Sequence, residues 1–215
     1  MLFGIVNGLL YLGVMYTEAA RAAVLLYLCP FVVAIGAHAF LKEKLDRLKT
    51  TGLLLAFIGV YLVFKGRPSS ADRLILIGDL LMVAAAVFWG GLTLYIKKYL
   101  APNVHPINTF LYQLVFSIPI LFIFAYVLET RWIIDLNLPV IGSIFYQSVI
   151  VAFASYLVWF KLVHEYPVTR LTAFTFLTPV FGVMFGILFL GDHPTTGLIG
   201  GLLLVCIGIY CVNHK

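Results

Sequence analysis

Charge is what this sequence has least of. Only 11% of its 215 residues are charged and 63% are hydrophobic, whereas a soluble domain of this size carries roughly a quarter charged residues. This shortage excludes a soluble globular domain and indicates a membrane protein. The formal net charge of +5 then concerns anionic lipid and membrane topology. It does not indicate nucleic-acid binding, because the basic residues lie in turns between apolar runs, without interleaved aromatic residues.

Cysteine and the familiar cofactor motifs are also scarce. The three cysteines, Cys29, Cys206 and Cys211, lie inside apolar runs and form no CxxC pair, so we interpret them as reduced packing residues. No G-x-x-x-x-G-K-[ST] string is present to bind the phosphates of ATP. The zincin-like string that begins at His164 has Val168 where its second histidine would stand. The sequence therefore predicts no enzyme activity, no cofactor and no metal site.

Long hydrophobic runs, in contrast, fill the chain. A helix needs about 20 apolar residues to cross a bilayer, and the runs lack the period-2 alternation of a barrel strand. We therefore predict an all-α polytopic membrane protein with eight transmembrane helices. The predicted spans are 1–17, 19–41, 48–64, 74–96, 106–128, 139–163, 168–190 and 195–212.

The loops between these spans predict an orientation. Alternate loops place nine Lys and Arg residues on one side of the membrane and five on the other. Because cytoplasmic loops carry the excess of basic residues, the first side is predicted to be cytoplasmic, and with it the C-terminus.

One segment of the chain occurs twice. Residues 21–61 and 170–210 align without gaps at an offset of 149 residues, which indicates an internal duplication. The two copies begin spans that are five apart, an odd number, so they cross the membrane in opposite directions. Inverted repeats of this kind are typical of secondary transporters, whose substrate sites lie between the repeats near the midplane. The matched pairs include Arg21 with Arg170, Pro30 with Pro179, Glu43 with Asp192, Gly52 with Gly201, Gly59 with Gly208, and Tyr61 with Tyr210.

The duplication divides the chain unequally. The first unit, 1–65, has three spans; a linker follows at 66–73, and the second unit, 74–215, has five spans. We therefore expect two further helices to belong to the first unit, ahead of residue 1.

Several strings carry a family resemblance. A-A-R-A-A-x-L-L-Y-L-x-P at 19–30, F-L-x-E-x-L at 40–45, G-x-x-x-x-x-x-G at 52–59, G-D-L-L at 78–81 and Y-L-V-W at 156–159 together resemble the EamA family of the drug/metabolite transporter superfamily. The resemblance covers essentially the whole chain and implies ten helices in two inverted five-helix repeats around a central cavity. On this resemblance, the eight predicted spans correspond to the last eight of those ten helices. An amino acid is the substrate that the resemblance implies.

Polar and aromatic residues deep in the spans predict where the cavity lies, because a polar side chain that faces lipid is costly. The alternative interpretation is that Ser and Thr bond their own backbone while the aromatic rings fill gaps between helices. Gln113 and Ser117 are weaker candidates, because their helix is peripheral in the family. The predicted cavity residues are Tyr27, Trp89, Thr93, Tyr156, Trp159, Thr175 and Thr178.

Two other residue types have predicted structural roles. Pro30 and Pro179 lie near the centres of equivalent helices, where a proline kinks the helix, and we predict that they act as hinges; a kink stabilised by packing is the alternative. The glycines at two-turn spacing permit close helix packing and would also suit a homodimer contact. These glycines are Gly52, Gly59, Gly201 and Gly208.

Arg21 and Arg170 begin helices, where the helix dipole disfavours a cation. We expect both side chains to reach lipid phosphate at the membrane surface, with ion pairs to Glu18 and Glu165 as the alternative.

The spans contain no deep Lys or Arg for a phosphorylated substrate and no mid-span Asp or Glu for a bare cation or proton. The sequence therefore favours an inner-membrane permease for small neutral or zwitterionic metabolites, working by alternating access without ATP. A multidrug or cation exporter of the same superfamily is one alternative, and it would need a membrane-embedded carboxylate. A truncated, transport-inactive protein that only binds membrane partners is the other.

Overall fold

The fold is a bundle of helices. The computed structural model describes residues 2–17, 19–64, 73–128, 137–185 and 196–214, and every regular element in those ranges is helical. The α-helices are α1 (Leu2–Tyr16), α2 (Ala19–Leu26), α3 (Cys29–Leu41), α4 (Arg47–Phe64), α5 (Arg73–Tyr95), α6 (Pro106–Leu128), α7 (Leu138–Phe145), α8 (Tyr156–Glu165), α9 (Val168–Ala173), α10 (Thr178–Phe185) and α11 (Thr196–Asn213). Wider π-helical segments, Ile96–Leu100 and Tyr146–Ser155, continue α5 and α7, and a 3-10 turn, Phe174–Leu177, joins α9 to α10.

These elements confirm an all-α membrane protein. Four helical stretches in the described ranges are long and apolar enough to cross a membrane: Arg21–Leu41, Arg73–Leu100, Pro106–Leu128 and Leu138–Glu165. The predicted linker lies outside the described residues except for Arg73, and so does the end of the predicted span 168–190. The inverted arrangement of the two units stays a prediction.

The helices that contain Pro30 and Pro179 both change geometry just before the proline. A turn at Tyr27 and Leu28 separates α2 from α3, and the 3-10 turn precedes α10. Proline lacks the N–H that an α-helix needs and restricts the residue before it, which explains both positions. Pro30 and Pro179 are buried, and their role as hinges stays a prediction.

Helices α4 and α11 pack against each other through glycine. A Cβ added at Gly52 would lie 2.6 Å from the carbonyl oxygen of Gly208, and one added at Gly59 would lie 2.5 Å from that of Gly201. The absence of side chains therefore lets the two backbones touch. This contact lies within one chain, so these glycines are not free to form the homodimer contact that their spacing also suggested.

The glycine contact predicts opposite effects on the free energy of unfolding for two Gly→Ala substitutions in α11. Gly208→Ala would bring a methyl group to 2.5 Å from Gly52 O and 2.6 Å from Ala56 N, so we expect the free energy of unfolding to fall by roughly 1–3 kcal/mol. Gly200→Ala is the control, because nothing lies within 4 Å of its Cβ position, and helix propensity alone should stabilise it by up to about 1 kcal/mol. Unfolding in mixed micelles measures both; equal effects would contradict the packing interpretation.

An ion pair ties α2 to α5 and corrects one expectation. Arg21 does not simply reach for lipid: its guanidinium forms a salt bridge with Asp79, and its Nε donates to Asp79 Oδ1 at 3.3 Å. Thr17, at the end of α1, donates its hydroxyl to the same oxygen at 2.6 Å. The alternative partner Glu18 lies outside the described residues. This group explains how a cation is accommodated in the first turn of a helix.

Arg170, the counterpart of Arg21 in the second copy, is different. It and Glu165 are both described, and no salt bridge forms between them. The local ion pair that we considered for Arg170 is therefore absent.

Removing the carboxylate charge tests this group. We expect Asp79→Asn to lower the free energy of unfolding by roughly 1–3 kcal/mol, since Asp79 makes hydrogen bonds with a charged partner. In a double-mutant cycle with Arg21→Gln, the double variant should lose less free energy of unfolding than the sum of the two single losses. Asp46→Asn is the control: Asp46 accepts from the N–H of Lys49 at an exposed helix start, a role that Asn fills equally well. Additive effects of the Arg21 and Asp79 changes would argue against the pair.

Candidate substrate cavity

Trp89 and Tyr156 meet at one small cavity inside the bundle. Trp89 is on α5, Tyr156 begins α8, and the cavity between them measures about 10 Å³, close to the space that a single water needs. The remaining lining residues are Phe3, Val6, Asn7, Leu10 and Leu92. The cavity therefore lies between α1, which belongs to the predicted first unit, and α5 and α8, which belong to the predicted second unit.

Aromatic packing holds Tyr156 in this position. Its ring meets Phe3 edge-on at 5.2 Å between centroids and lies parallel to Phe110 at 6.4 Å. Phe110 is fully buried and also packs against Phe160. In both contacts the distance between the ring centroids lies in the range that aromatic pairs prefer. The ring is thus fixed from α1 and from α6.

The sequence analysis overlooked α1, which supplies four of the seven lining residues. Phe3, Val6, Asn7 and Leu10 recur at helical spacing and so share one face. Asn7 Nδ2 donates to the carbonyl of Phe3 at 2.8 Å. A signal was present: Asn7 is the one amide in an otherwise apolar and aromatic helix, and a polar side chain deep in a span usually faces the interior.

Tyr27 and Thr178 come together elsewhere, where the two broken helices meet. The Tyr27 ring stacks on Phe176 at 5.6 Å, and its hydroxyl lies near the side chain of Thr178. Neither residue lines the cavity at Trp89. This pair instead links the turn between α2 and α3 to the start of α10.

The contacts of Thr93, Thr175 and Trp159 agree with the alternative interpretation, in which hydroxyls bond their own backbone and aromatic rings fill gaps between helices. Thr93 donates its hydroxyl to Trp89 O at 3.0 Å, and Thr175 donates to Thr172 O at 2.6 Å, so both bond the backbone of their own helices. Trp159 packs against the core cluster around Phe110. Substrate contact by any of these residues stays a prediction.

Two residues ranked as weaker candidates are buried on α6. The Ser117 side chain faces Gly4 of α1, with its Cβ 3.1 Å from the Cβ position of that glycine, and its hydroxyl donates to Gln113 O at 2.6 Å. Gln113 is only 9% exposed, and its Oε1 has no hydrogen-bonding partner among the described residues. The polar face of α6 is therefore turned into the bundle, while most of this helix is exposed.

The lining of the cavity carries no formal charge. It consists of aromatic and aliphatic side chains and one amide. Within the described ranges, no group of three or more His, Cys, Asp or Glu side chains is arranged to hold a metal. The cavity can therefore offer aromatic faces and amide hydrogen bonds to a ligand.

Comparison with known proteins shows the family. A model of the EamA-like transporter family matches residues 1–65 and again 76–214. The uncharacterized transporter YoaV of Bacillus subtilis is 25% identical over 203 residues, which are 94% of this chain and 69% of that protein. A probable amino-acid metabolite efflux pump of Salmonella typhimurium is 27% identical over 187 residues, 84% of this chain and 62% of the pump.

A solved structure shows the same fold. One crystal structure matches with a TM-score of 0.80 at 16% identity, covering 99% of this chain and 75% of the other. The chain spans about two thirds of the length of the transporters that it matches in sequence. A bundle of apolar helices, a family match over nearly all residues and relatives named as transporters lead to one conclusion: this multi-pass membrane protein belongs to the EamA-like transporter family.

Proposed function

We propose that the protein is a secondary exporter of small neutral or zwitterionic metabolites such as amino acids. In this proposal it works in the inner (plasma) membrane by alternating access, without ATP hydrolysis, and binds its substrate where Trp89 and Tyr156 meet α1. The observation that carries the proposal is the uncharged, aromatic cavity at the boundary of the two units, the place where transporters with inverted repeats bind their substrates.

The lining suits the chemistry of a free amino acid. The faces of Trp89 and Tyr156 can hold an ammonium group by cation–π attraction, and Asn7 offers an amide beside them. Leu10 and Leu92 provide apolar surface for a side chain. An uncharged lining favours a ligand whose own charges sum to zero, because it supplies no counter-ion.

The size of the cavity supports a conformational cycle. At about 10 Å³ it has room for roughly one water, which is too little for any metabolite. Binding therefore requires the helices around Trp89 to separate. The breaks before Pro30 and Pro179 lie in helices of both units and are suitable places for that movement.

The relatives support the substrate class and the direction. Two of them, from Salmonella typhimurium and Escherichia coli, are named probable amino-acid metabolite efflux pumps. A multidrug or cation exporter would need a carboxylate at the site, and the lining residues of the described cavity include none. Asp79 pairs with Arg21 instead.

Transport by the reconstituted chain tests the proposal. We expect proteoliposomes to release radiolabelled amino acids down a gradient, and Trp89→Ala to slow the release at least tenfold, because about 1.4 kcal/mol of lost binding corresponds to a factor of ten. Tyr126→Ala is the matched control, since Tyr126 is 72% exposed on α6. A folded wild-type protein that moves no amino acid would refute the proposed substrate; an unaffected Trp89→Ala variant would refute the site.

The hinge role of the prolines predicts a separate effect. Replacing Pro30 and Pro179 together by Ala restores a backbone N–H in each helix. We expect the double variant to bind substrate but to transport it several-fold more slowly, in a comparison of equilibrium binding with flux. Unchanged flux would remove the hinge role.

A further inference from the structure

Glu43 connects the first unit to the second at one end of the bundle. It lies two residues after the end of α3, and its carboxylate accepts from two backbone N–H groups at the start of α9. The Val168 N–H donates to Oε1 at 2.9 Å and the Thr169 N–H to Oε2 at 3.2 Å. A helix start leaves its first N–H groups unpaired and favours a negative charge. The Glu43 carboxylate, 125 residues before Val168 in the sequence, accepts from these N–H groups and places a negative charge at the start of α9.

The turn that carries Glu43 is itself fixed to α3. Lys42 has a left-handed backbone, with φ of 58°, so the chain reverses sharply there. The N–H of Glu43 donates to Ala37 O at 3.1 Å, and its carbonyl oxygen lies 3.0 Å from His38 Nδ1. The carboxylate is therefore held against α9 by a short, anchored turn and not by a long loop.

Other polar contacts gather at the same end. Lys97, in the π-helical continuation of α5, donates from Nζ to His164 O at 2.8 Å at the end of α8 and interacts electrostatically with Glu43. The His164 ring Nε2 is 3.3 Å from Thr109 Oγ1 on α6. Glu43 thus contacts an end of the second unit where α5, α6 and α8 are connected by the hydrogen bonds of Lys97, His164 and Thr109.

The Arg21–Asp79 ion pair lies toward the opposite end. Arg21 begins the 21-residue stretch Arg21–Leu41, and Glu43 lies two residues beyond its last residue, so the two groups are separated by about 30 Å of helix. Each group links the first unit to the second, through Asp79 at one end and α9 at the other. Between them lies the cavity at Trp89, with room for one water.

We infer that the contact between Glu43 and the N–H groups of Val168 and Thr169 is the latch that closes this end of the substrate path. Release of the carboxylate from α9 is then the step that opens the cavity to this side of the membrane. Glu43 is a positioning residue in this inference, because it holds α9 and does not touch the substrate. The inference rests on the proposed function, which places the path between the two units.

Cys29 provides a native reporter of opening. It begins α3 and packs beside Gly90 of α5, next to Trp89. The 13 residues of α3 place it about 20 Å from Glu43 along the helix. Replacing Cys206 and Cys211 with Ser leaves Cys29 as the single thiol of the chain.

The test measures how fast a membrane-impermeant maleimide labels Cys29 from each face of reconstituted vesicles. We expect Glu43→Gln to raise labelling from the Glu43 side roughly five-fold, the shift in population expected when a charge-assisted contact is lost, and to leave the other side unchanged. Glu43→Asp, which keeps the charge on a shorter side chain, should raise it less. Lys44→Cys in a chain without other cysteines identifies the Glu43 side, because Lys44 is exposed.

Glu165→Gln is the matched control. It makes the same change at an exposed carboxylate at the end of α8, and labelling should stay at the wild-type rate. Unchanged labelling in Glu43→Gln would overturn the latch. Equal increases from both faces, with a lower melting temperature, would also overturn it, since they indicate general loosening.

The labelling assay separates the latch from the proposed substrate. If labelling rises on one side while no variant moves amino acids, the latch stands and the substrate class is wrong. If amino acids are transported and labelling does not respond to Glu43, only the latch is wrong.

Discussion

The contact between α4 and α11 is the constraint on which the rest of the bundle depends. Lipid tails are as apolar as leucine, so helices in a bilayer gain little from hydrophobic burial and associate through close packing and hydrogen bonds. Glycine provides that closeness here, with Gly52 opposite Gly208 and Gly59 opposite Gly201. Around this seam, side chains from α3, α4, α11 and the end of α9 form one of the two core clusters. The broken segments at α2 and at the end of α9 pack against this pair, whereas residues of α5, α6 and α8 belong to the other cluster.

The polar contacts lie where a membrane protein can accommodate them. Arg21 with Asp79 and Glu43 with the start of α9 stand near opposite ends of the same span, while the residues around Trp89 are uncharged. Charge is costly at the bilayer centre and less so near the interfaces. In the proposed cycle, strong and specific contacts at the ends would control access, and a neutral centre would bind and release substrate without a large desolvation cost.

Hydropathy predicted an all-α membrane protein and the approximate bounds of the four helical stretches that are long enough to span a bilayer, because length and apolar content decide whether a helix can cross. The duplicated glycines predicted close packing, and the structure shows which residues they meet. The partners of individual side chains were harder to predict from the sequence. Arg21 finds its carboxylate 58 residues away, a contact that depends on how α2 crosses α5. Asn7 was not among the predicted cavity residues, because α1 has none of the Ser and Thr residues that marked the other helices. Those hydroxyls mostly bond their own backbone.

The left-handed turn at Lys42 makes the two copies of the repeat unequal. At the offset of 149 residues, the position of Lys42 is occupied by Gly191 in the second copy. A left-handed backbone costs a residue with a Cβ roughly 1–2 kcal/mol and costs glycine almost nothing. Glycine also leaves the unfolded chain freer than lysine does. Two halves that share an origin therefore differ in sequence at this position, and the first copy holds its turn at Lys42 with a residue whose side chain disfavours that backbone conformation.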